Sequence, residues 1–107
     1  MSGNGGGGGN YGGGSPSFDC NSLVMNTQLA SPIPAVIATL VKGDVLDVVL
    51  VSTTGPVQAV TSAGVVAGAI LTTGIGQLIQ CISDGHQFIA KVLDIKGGNC
   101  QVLITHI

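Results

Sequence analysis

From Leu23 to Leu29 apolar and polar residues alternate, placing Leu23, Met25, Thr27 and Leu29 on one face of an extended strand. Ser31-Pro32-Ile33-Pro34 interrupts the pattern, because proline has no N–H to give to a ladder. Ala35–Val41 reads as a second strand, and Lys42-Gly43-Asp44 as a turn. Val45-Leu-Asp-Val-Val-Leu-Val51 is the strongest strand signal, being aliphatic and mostly β-branched. Gly55-Pro56 turns the chain, after which Val57–Thr61 and Val65–Leu71 predict a hairpin about Ser62-Ala63-Gly64. The period then changes. Ile75, Leu78, Ile79 and Ile82 form one helical stripe, with Thr72 or Thr73 expected as its cap and Gly85 as its stop. Gln87–Ile95 and Cys100–Ile107 predict a last hairpin around Lys96-Gly97-Gly98-Asn99.

The pattern therefore predicts a mainly β fold. In Val45–Val51 both the odd and the even positions are mostly aliphatic, so that strand needs cover on two sides. One short α-helix covers little. The expected architecture is a small, partly closed five- or six-stranded barrel with the helix plugging one side. An apolar patch left over on its outside would support a homo-oligomer or a protein partner.

Composition divides the chain. Nine of the 18 glycines lie in the first 14 residues, so residues 1–17 form a glycine-rich low-complexity tail and residues 18–107 the folding domain. The tail has too little apolar surface to fold alone; it is expected to be a disordered tether, or to order against a partner through Tyr11. The net charge is −2, from three Lys against five Asp, with no Arg, Glu or Trp. That argues against phosphate-backbone binding of the electrostatic kind. It also leaves little charge repulsion to keep copies apart.

Ala63–Ile82 is long enough to cross a bilayer, yet carries Thr72, Thr73, Gln77, Gln80 and four glycines, with no aromatic or basic flank, so a membrane span is not expected. Cys20, Cys81 and Cys100 are an odd set without a C-x-x-C motif. They read as free thiols filling apolar space in a reducing, cytoplasmic setting, with Cys20–Cys100 or Cys81–Cys100 bridges left open.

Few side chains carry chemistry. Cys81, Asp84 and His86 lie close together, and Asp94, Cys100 and His106 lie near the end of the chain. A thiol near a helix C-terminus faces the wrong end of the dipole for thiolate formation, and no oxyanion site accompanies it. The spacing of Cys20, Cys81, His86, Cys100 and His106 matches no standard metal site. Leu71-Thr-Thr-Gly-Ile-Gly76 lies between a strand and a helix, but Ile79 occupies the third glycine position of a dinucleotide loop. No catalytic residue, cofactor or metal is expected.

The order Lys42-Gly43-Asp44-Val45-Leu46, Val48-Val49-Leu50, Gln58–Thr61, Gly64-Val65-Val66-Ala67-Gly68-Ala69-Ile70-Leu71, and a helix leading to Gly85-His86-Gln87-Phe88-Ile89-Ala90-Lys91-Val92 resembles the HIRAN domain. That domain is a small OB-like barrel attached to DNA-remodelling enzymes and also found alone in bacteria. The resemblance spans about residues 35–96 and implies a barrel that binds single-strand nucleic-acid ends, with Lys42, Lys91 and Lys96 as contacts. Its aromatic and basic positions are replaced here by Ala69-Ile70-Leu71, so base-stacking platforms are missing. The leading expectation is a non-catalytic interaction or self-assembling module acting through Tyr11, Val65, Val66, Ile70 and Leu71. The alternatives are the nucleic-acid reading and a membrane-active or secreted glycine-rich bacterial protein, since some colicin-type toxins also open on glycine-rich tracts.

Overall fold

The computed structural model describes residues 19–107; the glycine-rich tail and its Tyr11 lie outside the described residues. Among the described residues, six antiparallel strands form one curled sheet: β1 (Val24–Gln28), β2 (Val45–Leu50), β3 (Val57–Val60), β4 (Val66–Ile70), β5 (Phe88–Lys96) and β6 (Asn99–His106). Their spatial order is β1-β6-β5-β2-β3-β4. The two edges meet where the chain leaves β1. Ala30 and Ala69 exchange backbone hydrogen bonds of 2.8 Å in each direction, and the Ile33 amide donates to the Ala67 carbonyl at 2.9 Å. These bonds close part of the gap between β1 and β4, giving a half-barrel.

Gly68 makes that closure feasible. A Cβ on it would sit 3.1 Å from the Ala30 carbonyl oxygen and 3.1 Å from Leu29 Cβ. Both neighbours are held by the ladder, so only a residue without a side chain lets the edges approach.

The alternation read from the sequence is realised in β1. Met25 and Leu29 are buried, while Val24, Asn26 and Gln28 face out. Leu46, Ala59, Ile70, Phe88, Val92, Val102 and Ile104 join them inside, and no polar or charged side chain among the described residues is buried. A helix, α2 (Ile75–Ser83), plugs the barrel with Leu78 and Cys81; Ile75, Ile79 and Ile82 pack half-buried around them. Gly85, at φ +100°, ends it. The His86 amide then bonds the Cys81 carbonyl at 3.0 Å, so the left-handed glycine satisfies an otherwise orphan acceptor.

Three expectations need correction. Ala35–Val41 is not a strand: Pro34–Ile37 is a second helix, α1, one turn long. Pro34 has the backbone angle of a first helical residue and holds Ile33 extended before it. Val36, Ile37 and Leu40 then point to the core, a helical spacing rather than an alternating one. Neither Thr72 nor Thr73 caps α2 through its side chain. Gly74 is the N-cap, and only the Thr72 backbone carbonyl takes part, accepting from the Ile75 amide at 3.1 Å. Lastly, the three thiols are not all free. Cys20 and Cys81 form a disulfide, a pairing different from either bridge weighed on sequence alone. The bridge ties a 3-10 turn at Cys20–Ser22, just before β1, to α2.

Cys100 remains a free, buried thiol, and burial pushes its pKa above the ordinary value. It should stay protonated and unreactive in the folded chain at pH 7–8. Thiol titration should therefore find none in the native protein, one after unfolding without reductant, and three after unfolding with it. A native thiol that titrates at once would contradict this placement.

Candidate interaction surface

β2 lies in the middle of the sheet, between β5 and β3, and its even-numbered side chains enter the barrel. Its odd-numbered side chains face outward, and no helix or second sheet among the described residues covers them. Val45 is 50% exposed and Val49 40%, and Val51, just past the strand, is 56% exposed. Asp47 interrupts this row. Register extends the surface sideways: Val45 pairs with Lys91 of β5 and Asp47 with Ile89, while Leu103 of β6 flanks Lys91 and Val60 of β3 flanks Asp47. Ile89, Leu103 and Val60 are half-buried. Gln58, opposite Val49, and Thr105, opposite Ile89, share the face, so the outside of this central sheet is mostly aliphatic and carries one carboxylate, one ammonium and two neutral polar side chains.

At one end of this face lies a cavity of about 450 Å³ between α1, the start of β2 and the β3–β4 turn, lined in part by Thr39, Asp44, Val45, Thr61, Ser62 and Val65. Its polar groups are mostly engaged locally. Thr39 Oγ1 donates to the Val36 carbonyl at 2.7 Å, Asp44 accepts from the Val41 amide at 2.9 Å, and Thr61 Oγ1 accepts from the Val65 amide at 3.2 Å. These groups brace the loops rather than converge on a ligand.

The residues expected to form one interaction patch are separated by the fold. Val65 is exposed and lines the cavity. Leu71 is exposed beyond the other end of β4, and Val66 is half-buried between them. Ile70 is 0% exposed and belongs to the core, so it offers no surface to a partner. It points inward because it pairs with Val57 on the barrel side of the ladder.

The lysines are also divided. Lys42 and Lys96 converge on one carboxylate, at 4.0 and 3.9 Å from Asp94, whereas Lys91 lies on the aliphatic face. Asp94 offsets part of their charge, and the three do not form one basic patch.

Among the other candidates, Cys81 is held in the disulfide and has no thiol to act as a nucleophile. Asp84 accepts from the Gln80 side chain. His86 and His106 do meet: His86 Nδ1 and His106 Nε2 are 2.9 Å apart, sharing a hydrogen bond at one end of the barrel. Phe88 packs against the His106 ring in a T-shaped arrangement, with centroids 5.2 Å apart. Asp19, nearby, has its carboxyl pKa lowered chiefly by the Asn21 amide, then by the Asn21 side chain, with a small contribution from His106. Among the described residues no group of three or more His, Cys, Asp or Glu side chains is placed to hold a metal ion, and no helix is long and apolar enough to cross a membrane.

Comparison with protein-family models, curated proteins and solved structures finds no match.

The geometry of the chain itself is therefore what bears on function. The Val45–Val49 face was only half legible beforehand. Its signal was the aliphatic outer set of β2, but which strands flank it, and that Lys91 and Asp47 share it, depended on sheet order. The His86–His106 contact joins residues 20 apart at the open end of the hairpin predicted from Gln87–Ile95 and Cys100–Ile107, so its signal lay in that pairing.

Proposed function

We propose that this chain is a non-catalytic interaction module that self-associates through the outer face of its central strands. The observation that carries this is the row Val45, Val49 and Val51, exposed by 40–56% around a strand in the middle of a sheet. The solvated face of an antiparallel sheet ordinarily carries polar side chains, so an uncovered aliphatic row there is the mark of an association surface. Low charge supports the same reading, since three Lys and five Asp leave little to repel a second copy.

The Cys20–Cys81 bridge bears on where the module works. A cytoplasmic setting rested on free thiols; a structural disulfide instead favours an oxidising compartment. The resemblance to HIRAN domains keeps nucleic-acid ends as the second reading, which the sharing of Asp94 by Lys42 and Lys96 weakens.

The test is mass in solution. Light scattering on the full chain should give a multiple of 10.5 kDa that rises with concentration. Val49→Asp, which places a charge on the face without touching the core, should lower that mass. A chain of monomer mass at millimolar concentration, indifferent to Val49→Asp, would overturn the proposal.

A further inference from the structure

Two charged side chains, Asp47 and Lys91, stand on this mostly aliphatic face. The ion pairs among the described residues are Lys42–Asp94 and Lys96–Asp94; neither Lys91 nor Asp47 takes part. Both are exposed, on neighbouring strands. Val45 is opposite Lys91 and Asp47 opposite Ile89, so Asp47 and Lys91 occupy one diagonal of a four-residue patch and Val45 and Ile89 the other. Diagonal neighbours across an antiparallel pair lie about 7–8 Å apart, within reach of a lysine, yet Lys91 and Asp47 are not paired with each other in this structure, so both charges are open to a second molecule.

We infer that the occupant of this face is a second copy of the same chain, packed face to face about a two-fold axis that exchanges Asp47 and Lys91. This rests on the proposed self-association and specifies its geometry. A two-fold axis lying in the interface and crossing the Asp47–Lys91 diagonal at its midpoint brings each carboxylate over the other copy's ammonium. It makes two ion pairs from one pair of positions. The same operation leaves the second diagonal nearly in place, so Val45 meets the second copy's Val45 and Ile89 its Ile89. The patch is thus self-complementary in both charge and shape, as an isologous contact requires. It is neutral as a unit, so bringing two together leaves no unmatched charge.

The operation also predicts the packing class. The axis is oblique to the strands, so the strands of the two copies cross steeply. That is the orthogonal mode of sheet packing, with strand directions near 90°. No deep groove is required, because two sheets in contact need only interleaved aliphatic side chains, which Val45, Ile89 and the flanking Val49 and Leu103 supply.

The experiment is a charge exchange on the full, disulfide-bonded chain, read by sedimentation across a dilution series. Asp47→Lys sets Lys against Lys, and Lys91→Asp sets Asp against Asp. Each should weaken self-association by about tenfold or more, because like charges facing one another in an interface are strongly unfavourable. The double variant, Asp47→Lys with Lys91→Asp, restores opposite charges and should recover the parent association constant to within about threefold. Thermal unfolding of each variant checks that the fold survives, which exposed positions should allow. An independent variant reads the axis directly. Val45→Cys should form a covalent dimer under mild oxidation, since the only other free thiol, Cys100, is buried. Leu71→Cys, as exposed but outside the patch, should not.

Loss in both single variants, recovery in the double and crosslinking at position 45 together uphold the inference. A chain that self-associates but ignores the single charge reversals, fails to recover in the double or crosslinks through position 71 instead overturns this geometry, while leaving the self-association reading intact. A chain that stays monomeric throughout overturns both.

Discussion

Opening the Cys20–Cys81 bridge is expected to lower the stability of the fold by about 4 kcal/mol. The two cysteines are 61 residues apart, so the bridge closes a long loop in the unfolded chain. Loop-closure entropy for that length comes to about 4 kcal/mol at 25 °C. A domain of this size loses about 4–8 °C of melting temperature per kcal/mol, so the midpoint should fall by about 15 °C or more. The location reinforces the effect. The bridge holds the turn before β1 to α2, and α2 in turn holds Leu78 in the barrel. Without it, β1 is tied to the sheet mainly by β6 along one edge and by the Ala30–Ala69 bonds. Calorimetry with and without reductant, and on Cys20→Ser with Cys81→Ala, measures this. A midpoint unchanged within a few degrees would mean that the bridge constrains little and that the barrel stands by its core alone.

Ile70→Ala should cost about 3 kcal/mol, within the range of about 2–5 found when a buried isoleucine is truncated. Ile70 has no exposed surface and packs in the strand that closes the barrel. Leu71→Ala, one residue further on, should change stability by no more than about 0.5 kcal/mol, because Leu71 is 64% exposed. Urea unfolding of the two variants side by side tests register as well as burial. A shift of one residue along β4 would carry Leu71 inward and Ile70 outward. A larger loss in the Leu71 variant would therefore show that β4 pairs with β3 differently from the Val57–Ile70 register.

These two neighbours also show where sequence reasoning stops. Val65, Val66, Ile70 and Leu71 look alike as aliphatic residues in an uncharged stretch. Which of them faces out depends on pairing with β3, which shifts by a residue between Ala59 and Val60, so simple alternation cannot be carried through the hairpin. The reading of Ala35–Val41 failed for a related reason. A short aliphatic run satisfies a strand and a single helical turn equally well, and here Pro34 and the hydrogen bond from Ile33 to Ala67 favoured the turn. The disulfide was out of reach altogether, because the pairing of three cysteines depends on which elements fold together.

What local chemistry dictates was legible in the chain. The alternation in Val24–Gln28, the β-branched run of Val45–Leu50, the stripe of α2, its stop at Gly85 and the turn at Gly97-Gly98 are all set within a few residues, and the mainly β half-barrel follows from them. Only the tertiary structure decided the sheet order, the closure of Ala30 on Ala69 past Gly68, the Cys20–Cys81 pairing, and the meeting of Val45, Asp47, Ile89 and Lys91 on one outer face. Each joins residues tens of positions apart, and the order in which strands assemble depends on the free energy of the whole core rather than on any window of sequence.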